Sequence, residues 1–162
     1  MNQLTYVNVD EATNILTNVI GADSWLNLDD SIKNASLNQA TFLIDSNFNW
    51  HGSIASNIQE LRWPRKDVLD SDGRQISSEE IPYAVKYATA LLALHLTQSG
   101  GIKTVPANVR SLKVGPISIS MDSNESISIQ TIPKTIISTL NEFGDYKGLS
   151  DGSSAYNIKV TR

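Results

Sequence analysis

Gln59-Glu60-Leu61-Arg62-Trp63-Pro64-Arg65, continuing through Lys66-Asp67-Val68-Leu69-Asp70-Ser71-Asp72-Gly73-Arg74 to Ile81-Pro82, is the stretch that decides how the rest of the chain is arranged. A proline removes a backbone donor and disfavours helix in the residue before it, so Trp63-Pro64 cannot lie in the middle of a helix. The segments on either side carry helical periodicity. The stretch therefore reads as a structured connection, with Trp63 as its aromatic anchor and Pro64 fixing its exit. Asp70-Ser71-Asp72-Gly73 is a turn signature: short polar acceptors and then a glycine that tolerates positive φ. Pro82 suits the first position of a helix, and Glu79 and Glu80 suit its positive end.

Upstream, Asn8-Val9-Asp10-Glu11 is a capping-box pattern, and Ala12, Ile15, Leu16 and Val19 follow at helical spacing up to a stop at Gly21. Ser24-Trp25-Leu26 predicts a short helical turn that folds the Trp25 indole back onto this helix. A second helix is expected over 30–47, with Ile32, Leu37, Ala40, Ile44 and Phe48 on a buried face. Asn49-Trp50-His51-Gly52 reads as a closing loop anchored by Trp50, and a shorter helix is expected over 54–61.

Downstream, Val85, Ala88, Leu92 and Leu96, broadened by Ala84, Leu91 and Ala93, predict a helix buried on several sides and stopped at Gly100-Gly101. The period then changes to two. Residues 109–114 read as a strand interrupted by Gly115-Pro116. Ile117, Ile119 and Met121 form the next strand, 122–125 a turn, and Ile127 and Ile129 a returning strand. This places a β-hairpin at about 109–130, marginal alone and in need of a surface or a neighbouring subunit. Pro133 opens a last short helix with Ile136, Ile137, Leu140 and Phe143 inward and a stop at Gly144. Beyond it the chain is polar and Gly/Ser-rich, and then Tyr156, Ile158 and Val160 alternate with polar residues. That ending reads either as a strand that adds to a partner's sheet edge or as a frayed tail. The expected fold is mainly α: a bundle of about four to five helices with a β-hairpin and an extended C-terminal arm. The helical domain takes residues 1–144 and a flexible arm takes 145–162.

The 162 residues are enough for one domain, which would bury roughly 70% of its unfolded surface. No cysteine is present, which excludes disulfides and thiolate metal sites. A formal net charge of -4 argues against general nucleic-acid binding, which calls for a basic excess. No run of 18 apolar residues occurs, so no membrane span is expected, and Met1 to Asp10 lacks the pattern of a secretory signal. Synthesis in a cytoplasm is the expectation.

Catalytic signals are sparse. His51 and His95 are the only histidines, and each reads as structural. Val68-x-Asp70-x-Asp72-Gly73 with Glu79 echoes a calcium loop but places valine at the first ligand position and a Trp-Pro step before it. No catalytic residue, metal site or cofactor is expected. Arg62, Arg65, Lys66 and Arg74 are opposed locally by Glu60, Asp67, Asp70 and Asp72, and mutual pairing is the favoured reading. Arg65 is the exception: behind a rigid Trp-Pro step, it is expected to present a fixed bidentate donor to a partner.

These residues together resemble the small head-to-tail adaptor or connector proteins of tailed bacteriophages, a family also labelled DnaT-like single-stranded-DNA-binding protein. The resemblance is carried, in order, by Tyr6-Val7, Ser24-Trp25, Leu37-Asn38-Gln39-Ala40-Thr41 with Ile44-Asp45, and Phe48-Asn49-Trp50-His51-Gly52. Gln59 to Arg65, Asp72-Gly73 ahead of Ile81-Pro82, Val114-Gly115-Pro116 and Pro133 complete it. It covers about Tyr6 to Phe143. It implies a non-enzymatic virion protein at the head-tail junction, forming a ring, typically dodecameric, beneath the portal protein. Such a ring contacts neighbouring adaptor subunits, the portal and a tail or nozzle protein, and lets DNA pass without sequence-specific binding. On that reading Tyr156, Ile158, Val160 and Arg162 of the arm, with Arg65, are the expected partner contacts, and the hairpin is a further one. Trp25, Trp50, Trp63, Pro64, Gly73 and Pro82 are expected to be structural anchors. The rival that the label implies is a single-stranded-DNA binder, with Trp50 and Trp63 stacking bases and Arg62 and Arg65 holding phosphates.

Overall fold

A computed structural model describes residues 4–100, 111–114, 117–120 and 132–147. Among these, five α-helices and six short strands alternate in the order α1, α2, α3, β1, β2, β3, α4, β4, β5, α5, β6. The fold is mainly α with small antiparallel strand pairs.

Helix α1 (Val9–Leu16) starts where its capping box requires. Asn8 accepts from the Glu11 amide, and the Glu11 carboxylate accepts from the Asn8 amide. It ends at Leu16, before Gly21, and a run of turns carries the chain to α2 (Asp23–Leu26). The Trp25 indole is fully buried and donates to Thr13 Oγ1 at 3.1 Å, which ties α2 back to α1.

Helix α3 (Asp30–Asn47) buries Leu37, Ala40, Thr41 and Ile44. Ile32, expected on the core face, instead stands 47% exposed. At 100° per residue it lies about 140° from Leu37 and about 120° from Ile44, at the edge of the buried face in the first turn of the helix.

Helix α4 (Tyr83–Ser99) is the centre of the domain and packs against α1, α2, α3 and α5. This is why Val85, Ala88, Leu92 and Ala93 all have no exposed surface. Pro82 is its N-cap rather than its first helical residue, and Gly100 closes it in the left-handed conformation at φ 75°. Lys86 bonds Glu11 at 3.0 Å, joining α4 to the start of α1 and holding the Glu11 carboxyl below its ordinary range. His95, read as structural, is exposed on α4.

Two expectations between α3 and α4 are corrected. The segment 49–52 is not simply a loop. Strand β1 (Phe48–Trp50) follows α3 directly and pairs antiparallel with β6 (Gly144–Tyr146), with Asn49 opposite Asp145. No helix forms over 54–61. Instead β2 (Ser53–Ile54) pairs with β3 (Arg65–Lys66), and the loop between them is held by side chains. Gln59 accepts from the Ser56 amide and donates to the Leu61 and Pro64 carbonyls, so a side chain supplies what helical bonds would have supplied.

Helix α5 (Lys134–Leu140) turns Ile136, Ile137 and Leu140 into the core. Strand β6 and Lys147, whose Nζ donates to the Ser46 carbonyl, extend the folded unit past 144, the expected boundary of the helical domain. The hairpin consists of β4 (Ser111–Val114) and β5 (Ile117–Ser120), with Val114 opposite Ile117. Gly115-Pro116, expected to interrupt a strand, thus falls between two paired strands, and the expected turn at 122–125 lies outside the described residues. The expected returning strand at 127–129 and the arm from 148 onward lie outside the described residues.

Candidate functional site

Two strand pairs bring the Trp-Pro-Arg stretch and the Trp-His-Gly stretch into one knot at the C-terminal end of α3. Pairing of β1 with β6 lines up Phe48, Trp50, Phe143 and Tyr146. Phe48 stacks on Trp50 at 5.2 Å and meets Tyr146 at 5.5 Å. Trp63, only 1% exposed, stands edge-on to Trp50 at 5.7 Å and to Phe143 at 5.8 Å. Such edge-on contacts add about 0.5–1.5 kcal/mol each beyond area burial. The Trp63–Pro64 peptide bond is cis. Among the described residues Trp63 Nε1 has no acceptor, and packing against Trp50 and Phe143 holds its indole. Gly144 is required on β6, because a Cβ there would lie 2.8 Å from the Asn49 carbonyl oxygen.

Asp45, in the last turns of α3, is the polar centre beneath this cluster. One oxygen, Oδ1, accepts from the Tyr6 hydroxyl and from Trp50 Nε1, the latter at 3.1 Å. Burial pushes the Asp45 carboxyl above its ordinary value, although the Tyr6 and Trp50 hydrogen bonds oppose the shift. Burial, reinforced by the Asp45 charge, pushes the Tyr6 hydroxyl far upward as well. The pair therefore joins the N-terminal segment to α3 as a phenol donating to a carboxylate.

Arg65 is expected to meet a partner, and the geometry corrects this. Its residue is 8% exposed. Nε donates to the His51 carbonyl at 2.6 Å, Nη2 to the Gly52 carbonyl at 2.8 Å, and Nη1 to the Arg62 carbonyl at 3.1 Å. The guanidinium fork thus clamps two loops together through backbone oxygens. Gly52 has φ 65°, and a Cβ there would lie 2.1 Å from the Lys66 carbonyl oxygen, so no side chain fits beside the clamp.

Other residues named from the sequence sit apart from this knot. Trp25 belongs to the α1–α2 corner. Gly73, at φ 77°, closes the 70–73 turn through its amide to the Asp70 carbonyl. Arg74 pairs with Asp70 at 2.8 Å and Asp72 at 2.9 Å, which uses two of the three carboxylates of the calcium-like pattern. Hydrogen bonds from Arg74 hold the Asp70 carboxyl below its ordinary range. Val68, at the first ligand position of that pattern, is a buried aliphatic. Pro82 caps α4. His51 lies exposed, with Nε2 3.6 Å from Asp145 Oδ2. Arg62 and Lys66 remain exposed cations beside the knot. Tyr156, Ile158, Val160 and Arg162 lie outside the described residues.

The arrangement favours rigidity over chemistry. Trp63 offers no open face to a base, and Arg65 directs its donors inward. Among the described residues no group of three or more His, Cys, Asp or Glu side chains is placed to hold a metal ion, and no helix is long and apolar enough to cross a membrane. Sequence reasoning missed the Tyr6–Asp45 pair and the roles of Phe48, Phe143 and Tyr146. Tyr6 and Ile44-Asp45 recur in the motif series, but nothing local predicts that they meet.

A family model described as "Putative DnaT-like ssDNA binding protein" matches residues 2–162, and the chain belongs to that family. No curated protein and no solved structure matches the chain.

Proposed function

We propose, starting from that membership, that this chain is a virion protein of a tailed bacteriophage. It is a head-to-tail adaptor that docks in a ring beneath the portal, extends the DNA channel and joins head to tail. The observation that carries this reading is the β4–β5 hairpin. Among the described residues it pairs with no third strand, and a two-stranded ribbon is marginal until it packs on something or gains a neighbour. A subunit in a closed ring provides such a neighbour through a heterologous interface. The formal charge of -4 suits a channel wall that must not retain DNA. The arm, residues 154–162, is the portal contact in this reading, ordering on binding. Deletion of residues 154–162 should abolish co-sedimentation with portal rings while leaving the domain folded, read by its circular dichroism. Undiminished co-sedimentation would remove the arm from the interface.

The family description favours a second reading, single-stranded-DNA binding. Burial of Trp63 and Arg65 takes away two of the four residues expected to serve it, leaving Arg62 and the half-buried Trp50. A mobility shift with single-stranded DNA that weakens as salt rises would favour it over the adaptor.

A further inference from the structure

The outer side of α3 is an uncharged strip with apolar residues standing free in it. At 3.6 residues per turn, Ile32, Ala35, Gln39, Phe42 and Ser46 fall on one side, opposite the buried Leu37, Ala40 and Ile44. Phe42 is 71% exposed and Ile32 is 47% exposed. Ser31 and Asn38 flank the strip, so no charge interrupts it. The charges lie at its ends. Asp29 and Asp30 stand exposed at the N-terminal end, Asp30 also meeting Lys33 at 3.5 Å. At the C-terminal end Lys147 Nζ donates to the Ser46 carbonyl at 2.8 Å. The last described residue, Lys147, is therefore tied to α3 one helical turn beyond Phe42.

We propose that residues 156–162 of the same chain lie along this strip, antiparallel to α3, and mask it. Tyr156 meets Phe42, Ile158 and Val160 pass Ala35 and Ile32, and Lys159 and Arg162 arrive at Asp29 and Asp30. The lengths agree. Tyr156 to Val160 spans about 13 Å when extended, and Ile32 to Phe42 spans about 15 Å of helix. The tether agrees as well. The stretch from Lys147 to Tyr156 is rich in glycine and serine, and its mean reach of about 17 Å exceeds the distance of about 6 Å along the helix from Ser46 back to Phe42. The charges agree, since Lys159 and Arg162 are the charged groups of residues 156–162 and both are basic. A short tether supplies an effective concentration on the order of millimolar, enough for a few apolar contacts to persist. The inference goes beyond the adaptor reading and does not rest on it, because docking of the arm needs no portal. Its consequence is that the arm is withheld from any partner until something competes for it.

The absence of native cysteine allows a direct test in the full chain. Ala35→Cys with Ile158→Cys should form an intramolecular disulfide at least about tenfold faster than Asn14→Cys with Ile158→Cys, a control on exposed α1. Adding Phe42→Ser, a change at an exposed site, should slow the first pair toward the control. Equal rates for the two pairs would overturn the proposal. So would a disulfide that joins two chains rather than one, which would make a second copy the occupant, or a rate insensitive to Phe42→Ser.

Discussion

Replacing Arg65 by alanine tests whether the Trp-Pro-Arg stretch is a clamp or a contact. The substitution leaves the carbonyls of His51, Gly52 and Arg62 without their donor, in a site where the residue is 8% exposed. Hydrogen bonds to a charged group contribute about 1.5–3 kcal/mol each, but these three share one side chain and do not add fully. A loss of about 3–5 kcal/mol is therefore expected, at the large end for single substitutions. For a chain of this size each kcal/mol corresponds to about 2–4 °C, so the melting midpoint should fall by roughly 6–20 °C. Arg65→Lys should recover only part of this, because an ammonium cannot span the three carbonyls with a planar fork. Thermal denaturation followed by circular dichroism reads both variants. A midpoint within about 2 °C of wild type, together with lost binding to a partner, would refute the clamp.

Trp63→Ala should cost about 3–5 kcal/mol by emptying the site between Trp50 and Phe143, read as a lowered urea midpoint; loss of assembly at unchanged stability would show its role to lie elsewhere. Gly52→Ala should be far more damaging than Gly73→Ala: both have positive φ, but only at Gly52 does the added methyl strike backbone, at 2.1 Å, whereas nothing lies within 4 Å at Gly73. Comparative melting of the two variants decides this. Asp45→Asn keeps an oxygen to accept from Tyr6 and Trp50 but removes the charge. Because the folded Asp45 carboxyl is raised, folding favours its protonated form, and the associated stability is full below about 3.9, the ordinary aspartate value, and is lost as pH rises through the raised one. The stability of Asp45→Asn relative to wild type should therefore increase across that rise, measured by urea unfolding from pH 3 to 7; a flat difference would contradict the burial of the charge.

The helices were legible because their signals are local. The Asn8–Glu11 box, the carboxylates at the start of α3, and Pro82 with Gly100 around α4 mark helix ends by residues next to one another in the sequence. The wide apolar face of α4 likewise announced a central position. What was not legible depends on partners distant in sequence. Strand β1 exists because Phe48–Trp50 meets Gly144–Tyr146, and no pattern within Asn49-Trp50-His51-Gly52 encodes that pairing. The loop over 54–61 looked helical by composition, yet Gln59 spends its amide on Ser56, Leu61 and Pro64. Arg65 was misread because a guanidinium after a rigid step suits a partner as well as a pair of backbone loops. Only the closure of β2 on β3 brings the His51 and Gly52 carbonyls within its reach.

Electron microscopy of the purified protein mixed with portal rings tests the adaptor reading most directly. The account predicts a coaxial ring of added density on one face of the portal, with a continuous central channel. Bare portals at saturating protein, alongside a salt-sensitive complex with single-stranded DNA, would contradict it and leave the DNA-binding reading in its place.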